Sequence, residues 1–361
     1  MKVIQTKKGL RQIRKEPLYI GIFMLALAIL GLIYAGWDGY VSYMARPEPG
    51  LKGKDVLVSI DRGMAFKQVT RRLHEKDVIS NKMMFNVAGR LKGVTKKIQA
   101  GDYTFRDGMP PMTVLDMITR GDITTVRLLV PEGFTVFDVA RRLERLGPWT
   151  ADAFMEASAD KADQMGLPAD TVEGYLFPAA YDLKMSMNET RVIELMIKYH
   201  ERVKTDERLS AARKEGLSWH EALTLASVVQ KESANVGEMP TVSSVFHNRL
   251  DRGMFLQSDP TAIYGVKDQR DGVTAKDLEH PGEYNTYVHK GLPPGPICNP
   301  GADAIDAALY PRDTDYLYFV ADGEGGHSFS TSYAGHRRNV NTYRQKLREA
   351  EKAAEQNGGG G

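Results

Sequence analysis

One carboxylic acid in this chain sits where its surroundings could make it a proton donor. Residues 218–233 read SWHEALTLASVVQKES. Ser218 and Glu221 have the S-x-x-E spacing of a capping box, in which each side chain accepts a backbone N–H left free at a helix start, so a helix is expected from there. Leu225, Val228, Val229 and Glu232 follow at i, i+3, i+4 and i+7, which places Glu232 on the apolar stripe of that helix. Desolvation penalises the anion, so a carboxyl there keeps its proton to higher pH. Held protonated near neutrality, it can hand the proton to a departing alcohol oxygen, the step on which glycosidic cleavage depends. A solvated helix end beside Lys231 fits the same position, and helix position alone leaves both readings open.

Other chemistries find less support. His220-Glu221 begins an H-E-x-x-H pattern, but position 224 is Thr, and the remaining histidines are scattered. A zinc hydrolase built on His220, His247 and His327 stays open only as a remote reading. Cys298 is the single cysteine, which excludes an internal disulfide and a cysteine-based zinc cluster. Gly323-Glu324-Gly325-Gly326 lies between two strand-like runs, YLYFV and HSFS, and reads as a hairpin turn rather than a phosphate loop. The formal net charge of +2 gives no bulk basic excess of the kind a nucleic-acid binder shows. No cofactor, metal or nucleic-acid partner is expected.

The elements that must position this acid begin with an anchor. Pro17 to Trp37 is a run of 21 uncharged residues, matching the roughly 20 needed to cross a bilayer as a helix. Tyr19, Tyr34 and Trp37 lie near its ends, where amphipathic rings favour the interface, and the preceding segment holds six Lys or Arg against one acid. The sequence therefore predicts a cytoplasmic basic tail over 1–17, a transmembrane helix over 18–37 and a linker over 38–54. A small module is expected over 55–150, a larger α+β domain over 151–345, and a C-terminal helix end with an unstructured Gly tail over 346–361. The first module reads as strand Val56–Ile60, helices near Phe66–Leu73 and Lys82–Leu91, strand Ile98–Phe105, a helix stopped by Gly121, strand Thr125–Val130 and a helix through Leu143. The stretches Val56–Leu73 and Val126–Leu143 look alike, each an apolar strand, a Gly turn and a helix with paired arginines.

Four ordered blocks resemble one family. LASVVQKES with SVFHNRLDRGMFLQSDPTAIYG, EYNTYVHKGLPPGPICNPG, DYLYFVADGEGGHSF and, upstream, EGYLFPAAYDL are similar to the signatures of the YceG-like (MltG-type) endolytic murein transglycosylases. The resemblance implies a lyase that cleaves between N-acetylmuramic acid and N-acetylglucosamine within a glycan strand and leaves a 1,6-anhydro-muramyl end. It implies an α+β fold: an N-terminal transmembrane helix, a small LysM-like α/β module and a mixed α+β catalytic domain with a lytic-transglycosylase-like active-site helix. The family's catalytic block commonly holds two glutamates. Here Gln230 stands at the first and Glu232 at the second, where it opens the Glu-Ser pair of other lytic transglycosylases, so the resemblance puts the catalytic acid on Glu232.

Asn248, Gln257, Ser258, Asp259, Thr261 and Tyr264 are then the nearest polar candidates for sugar contacts, with Tyr284, Asn285 and Tyr287 as groove-lining residues and Glu173 as a second acid. Ordinary turn and capping roles fit Ser258, Asp259 and Thr261 equally well. The implied partners are peptidoglycan strands, the inner membrane and peptidoglycan synthases. The N-terminus is expected in the cytoplasm and the catalytic domain outside it. A non-catalytic peptidoglycan-binding scaffold is the competing reading, and a zinc amidase the third.

Overall fold

The computed structural model describes residues 16–46, 54–106, 108–233, 235–266 and 272–358. The basic segment before Glu16, the linker residues 47–53 and the last three glycines lie outside the described residues. The chain divides into two compact units, Met1–Thr125 and Val126–Gly361.

In the first unit, helix α1 spans Glu16–Ala45. Its Leu18–Ala45 stretch is, among the described residues, the one helix long and apolar enough to cross a membrane. It runs past the expected end at Trp37, so residues 38–45 are helix rather than linker. No proline falls between Asp38 and Ala45, and the end of the helix packs into the unit's core through buried Met44, with Tyr40 and Tyr43 against it. Strands β1 (Val56–Ile60) and β2 (Gly101–Phe105) pair antiparallel with Val58 opposite Tyr103. Around them lie α2 (Phe66–Glu75), α3 (Lys82–Leu91) and α4 (Pro111–Arg120). Phe66, Val69, Leu73, Phe85, Leu115 and Ile118 close the core. Asn81 caps α3 by accepting from Met83 and Met84 N–H.

The second unit begins within β3 (Thr125–Leu129) and continues through α5 (Val136–Glu144), α6 (Ala151–Met165), β4 (Ala180–Lys184), α7 (Glu189–Val203) and α8 (Asp206–Lys214). Next come α9 (Trp219–Glu232), a 3-10 turn (Val236–Glu238), α10 (Met239–Asp251), α11 (Asp259–Ile263), α12 (Ala275–Leu278) and α13 (Ala302–Leu309). The hairpin β5 (Tyr318–Ala321) and β6 (His327–Ser330) and the long α14 (Tyr333–Gly358) complete it. The division falls at residue 125 rather than the expected 150. β3 pairs with β4, and Val130 N–H donates to Ala179 O just beyond, so this strand and α5 are fastened to the larger core. The two look-alike stretches do fold alike, each as strand, glycine turn and helix with Gly63 and Gly133 at φ +88° and +78°, yet they serve different units.

Helix α9 runs through the middle of the second unit. The sequence predicts an apolar stripe; the structure buries every residue from Ala222 to Val229. Helices α8, α10, α11 and α13 all contact it, and a helix enclosed this way is apolar all round rather than along one face. Its start is the expected capping box: Ser218 Oγ accepts from Glu221 N–H at 3.2 Å and Glu221 accepts from Ser218 N–H at 2.8 Å. Ser218→Ala is expected to lower the unfolding free energy by about 1 kcal/mol; a denaturant midpoint identical to the parent chain's would contradict that role for the cap.

Candidate active site

The acid singled out by the sequence is the last residue of α9. Ser233 after it leaves the helix with φ −91° and ψ 124°, while its N–H still donates to Val229 O at 3.0 Å. The helix thus stays hydrogen-bonded to its end and delivers Glu232 from a buried, rigid element. The residue keeps some solvent contact, but its carboxyl is enclosed by protein.

Ser258, 1 % exposed, meets that carboxyl: its Oγ donates to Glu232 Oε1 at 2.6 Å. Gln257 before it adopts the left-handed region at φ +49°, a conformation costing a side-chain-bearing residue on the order of 1 kcal/mol. Hydrogen bonds to Thr286 hold this turn. Gln257 N–H donates to Thr286 O at 3.2 Å, and Ser258 N–H to Thr286 Oγ1 at 3.0 Å. Thr261 closes the cluster, donating from Oγ1 to Ser258 O at 2.6 Å and lying 2.8 Å from Thr286 Oγ1. Asp259 is exposed and accepts from Tyr287 Oη at 2.6 Å.

Opposing forces act on Glu232. Burial raises its carboxyl to about 7; the Ser258 hydrogen bond pulls it down, the Asp259 charge pushes it up, and the charges of His327 and Arg249 pull it down. Arg249 is fixed: Nε donates to Leu317 O at 2.7 Å, Nη1 to Leu256 O at 2.6 Å, and the guanidinium stands 5.3 Å from the centre of the Tyr318 ring. His327 is oriented by Glu238, whose carboxyl lies 2.9 Å from His327 Nδ1 and accepts His327 N–H at 3.1 Å. A carboxyl raised towards neutrality, beside the Arg249 guanidinium and a hydroxyl, can release a proton and take one back.

Glu173 is in the interior, 3 % exposed. Its oxygens accept from Val136 N–H at 2.9 and 3.1 Å, from Asn299 Nδ2 at 2.8 Å and from Tyr264 Oη at 3.1 Å. Burial pushes it up to about 8 against the pull of these donors. Gly174 beside it has φ +85°, and a Cβ there would collide with the Pro296 ring, so only glycine lets the chain turn here. The carboxyl caps the start of α5 and ties it to α11's end and the loop before α13.

The remaining candidates divide. Gln257, Ser258, Asp259 and Tyr287 gather around Glu232 by chain and hydrogen bond, with Thr261 supporting them. Tyr264 and Tyr284 pack ring against ring at 4.7 Å on the Glu173 side. Asn285 is 1 % exposed and donates to Leu278 O and His280 O at 3.1 and 2.7 Å, and Asn248 donates to Thr314 O and Tyr316 O at 2.7 and 2.9 Å. Both amide groups therefore hold loops. Gln230 Oε1 accepts from Gly301 N–H at 2.9 Å, at the start of α13. His220 spans Tyr175 Oη and Pro294 O, and His247 lies against Ala308 O. Among the described residues no three His, Cys, Asp or Glu side chains are grouped to hold a metal ion.

Arg249, Thr286, Glu238 and the placement of His327 were missed by residue-type reasoning. The first lies in the FHNRL block and His327 in the GGHSF block, but only the folded chain brings both to Glu232.

A mixed α+β unit that presents an enclosed glutamic acid at a central helix end, backed by hydroxyls and the fixed Arg249 guanidinium, has the build of an acid–base enzyme. Residues 58–342 match the profile of the YceG-like family, and the chain belongs to that family. An endolytic murein transglycosylase of Bacillus subtilis (strain 168) is 31% identical over 336 residues, covering 86% of this chain and 91% of the relative. One of Streptococcus pneumoniae serotype 2 is 29% identical over 353 residues, and the match spans 63% of its length. The crystal structure of a YceG-like protein from Listeria monocytogenes superposes with a TM-score of 0.55 at 30% identity, over 79% of this chain and 98% of that one.

Ser258→Ala removes a donor to the Glu232 carboxylate, so the acid should titrate at higher pH. Carboxyl-carbon NMR reads this directly, and an unmoved or lowered midpoint would count against the bond. Glu173→Ala leaves three donors unpaired in the core and should destabilise the second unit by on the order of 3 kcal/mol; wild-type unfolding behaviour would refute the capping role.

Proposed function

We propose that this chain is an endolytic murein transglycosylase, a lyase acting on peptidoglycan strands, with Glu232 as its acid and base. The observation that carries the reading is the enclosed Glu232 carboxyl at about 7, held by Ser258. The relatives named above support the reaction class.

The chemistry needs one carboxyl. Protonated Glu232 gives its proton to the glycosidic oxygen joining N-acetylmuramic acid to N-acetylglucosamine, and the C1–O bond breaks. The muramyl 6-hydroxyl attacks the positive anomeric carbon, and Glu232, now a carboxylate, accepts the hydroxyl proton. The enzyme is regenerated and a 1,6-anhydro-muramyl end remains. No water is activated, so a second carboxyl at hydrolase spacing has no task. Glu173, saturated by core donors, is consistent with that economy. Ser258 steers the Glu232 carboxyl, and its donated hydrogen bond stabilises the anion midway through the cycle. Asp259 opposes early proton loss. Gln257, exposed on the strained turn, and Tyr287 are placed to meet sugar amides and hydroxyls.

Helix α1 serves as a single-pass anchor in the cytoplasmic membrane. The basic residues before it favour a cytoplasmic N-terminus and leave both units outside. The first unit acts as a LysM-like glycan contact or as a spacer, and cutting new strands would place the enzyme beside peptidoglycan synthases. A scaffold that binds strands without cutting them is the second reading; the altered glutamate at Gln230 favours it only if that position did chemistry, and here it caps α13.

Mass spectrometry of fragments released from purified peptidoglycan by the full chain is the test. Anhydro-muramyl ends that vanish in Glu232→Gln are expected, with activity falling at least 100-fold and strand binding kept. Reducing ends would identify a hydrolase. Unchanged cleavage in the variant would remove Glu232 from the mechanism.

A further inference from the structure

Helix α3 carries an apolar row on its solvent side. Phe85, Ala88 and Gly89 face the core, while Met83, Val87 and Leu91, four residues apart, are 71%, 43% and 64% exposed. At 100° per residue this row lies opposite the buried one, and Arg90 falls within it. The surrounding sequence is one-sided in charge. Residues 78–101 hold Lys82, Arg90, Lys92, Lys96 and Lys97 and no acid. Lys92 also reaches Asp116 at 2.8 Å. An apolar row flanked by basic side chains is the composition of a helix lying in a membrane interface.

The fold fixes the start of α3 to the outer end of α1. Tyr43 Oη donates to Asn81 O and accepts from Asn81 N–H, both at 3.2 Å, and Asn81 is the α3 cap. Met44 is 2% exposed in the same core. The end of α1 and the module thus share one core. Tyr43 is six residues beyond Trp37, which is about 9 Å along the axis at ~1.5 Å per residue. The headgroup layer beyond the hydrocarbon is about 5–8 Å deep. With Trp37 taken as the hydrocarbon boundary, the first turn of α3 stands just beyond the headgroup layer, close enough for long lysine and methionine side chains to reach back into it.

We propose that this face of the first unit docks on the bilayer, with Met83, Val87 and Leu91 among the headgroups and the basic side chains on anionic lipid phosphates. The proposal rests on α1 being a membrane span. Continuity with that span selects the lipid surface as occupant, and the one-sided charge matches an anionic leaflet.

The experiment uses the full chain, one copy per lipid nanodisc, with a fluorescent label on Val87→Cys. Cys298 is fully buried, and burial raises its thiol pKa, so it stays unlabelled. Quenching by a nitroxide on the lipid headgroup is compared with quenching by iodide in the water. The expected result is strong headgroup quenching in discs with anionic lipid, several-fold weaker in Met83→Glu/Leu91→Glu and in wholly zwitterionic discs. Those side chains face solvent, so an unchanged melting curve verifies that the variant folds. A label open to iodide and blind to the nitroxide, in a chain that floats with the bilayer, overturns the docking and leaves the anchor intact. A chain that does not float overturns the anchor first. Protection that arises only on adding glycan strands also overturns the proposal and gives the face to the glycan.

Discussion

A carboxyl that must hold a proton near neutrality has to leave water without losing every partner, because an unpaired buried charge is far costlier than a solvated one. Among the described residues that constraint is met by the hydrogen bond from Ser258 to Glu232. One hydroxyl is enough to orient the acid and too little to lock it as an anion. Much of the second unit serves this balance. Helix α9, buried from Ala222 to Val229, makes the carboxyl's position rigid, and Thr286 and Thr261 hold the serine in a strained turn that a freer loop would abandon. Arg249 supplies positive charge from a fixed position and Asp259 the opposing negative charge, and each is tied by hydrogen bonds to a different part of the chain.

Glu173 and Gln230 show the same chemistry used for a different end. Gln230 lies on α9 and Glu173 in the loop before β4, and residue type alone suits either for catalysis. Their partners decide otherwise. Glu173 receives donors from α5, from Asn299 and from Tyr264, so its oxygens are taken up in joining three segments. Gln230 accepts the free N–H at the start of α13, a task that a glutamate performs equally well.

Local signals were legible in the sequence. The capping box at Ser218, the strand and helix alternation of the first unit, the Gly-rich hairpin and the apolar anchor all follow from spacing, because each depends on neighbours a few residues apart. What escaped depends on distant partners. The apolar stripe of α9 hid a helix enclosed on all sides, since alanine, serine and threonine on its other faces look polar or neutral until neighbouring helices cover them. The end of α1 looked like linker because nothing in residues 38–45 announces that Met44 will be buried. β3 reads with the strands before it, because its partner β4 lies over fifty residues later. Asn248 and Asn285 suited sugar contacts by type, but backbone carbonyls of loops claimed both amides.

The hairpin of β5 and β6 has a consequence for the order of events when the chain is made. Glu232 sits two-thirds of the way along, yet its setting is completed much later. Arg249 needs Leu317 O, and Glu238 needs His327, 89 residues downstream. Asn299 reaches back 165 residues to Phe134 and 126 to Glu173. Contacts of such sequence separation form late, because loop closure must precede them. A chain still being made thus carries Glu232 for some time without the groups that tune its carboxyl, and that setting is complete only when nearly the whole polypeptide has emerged.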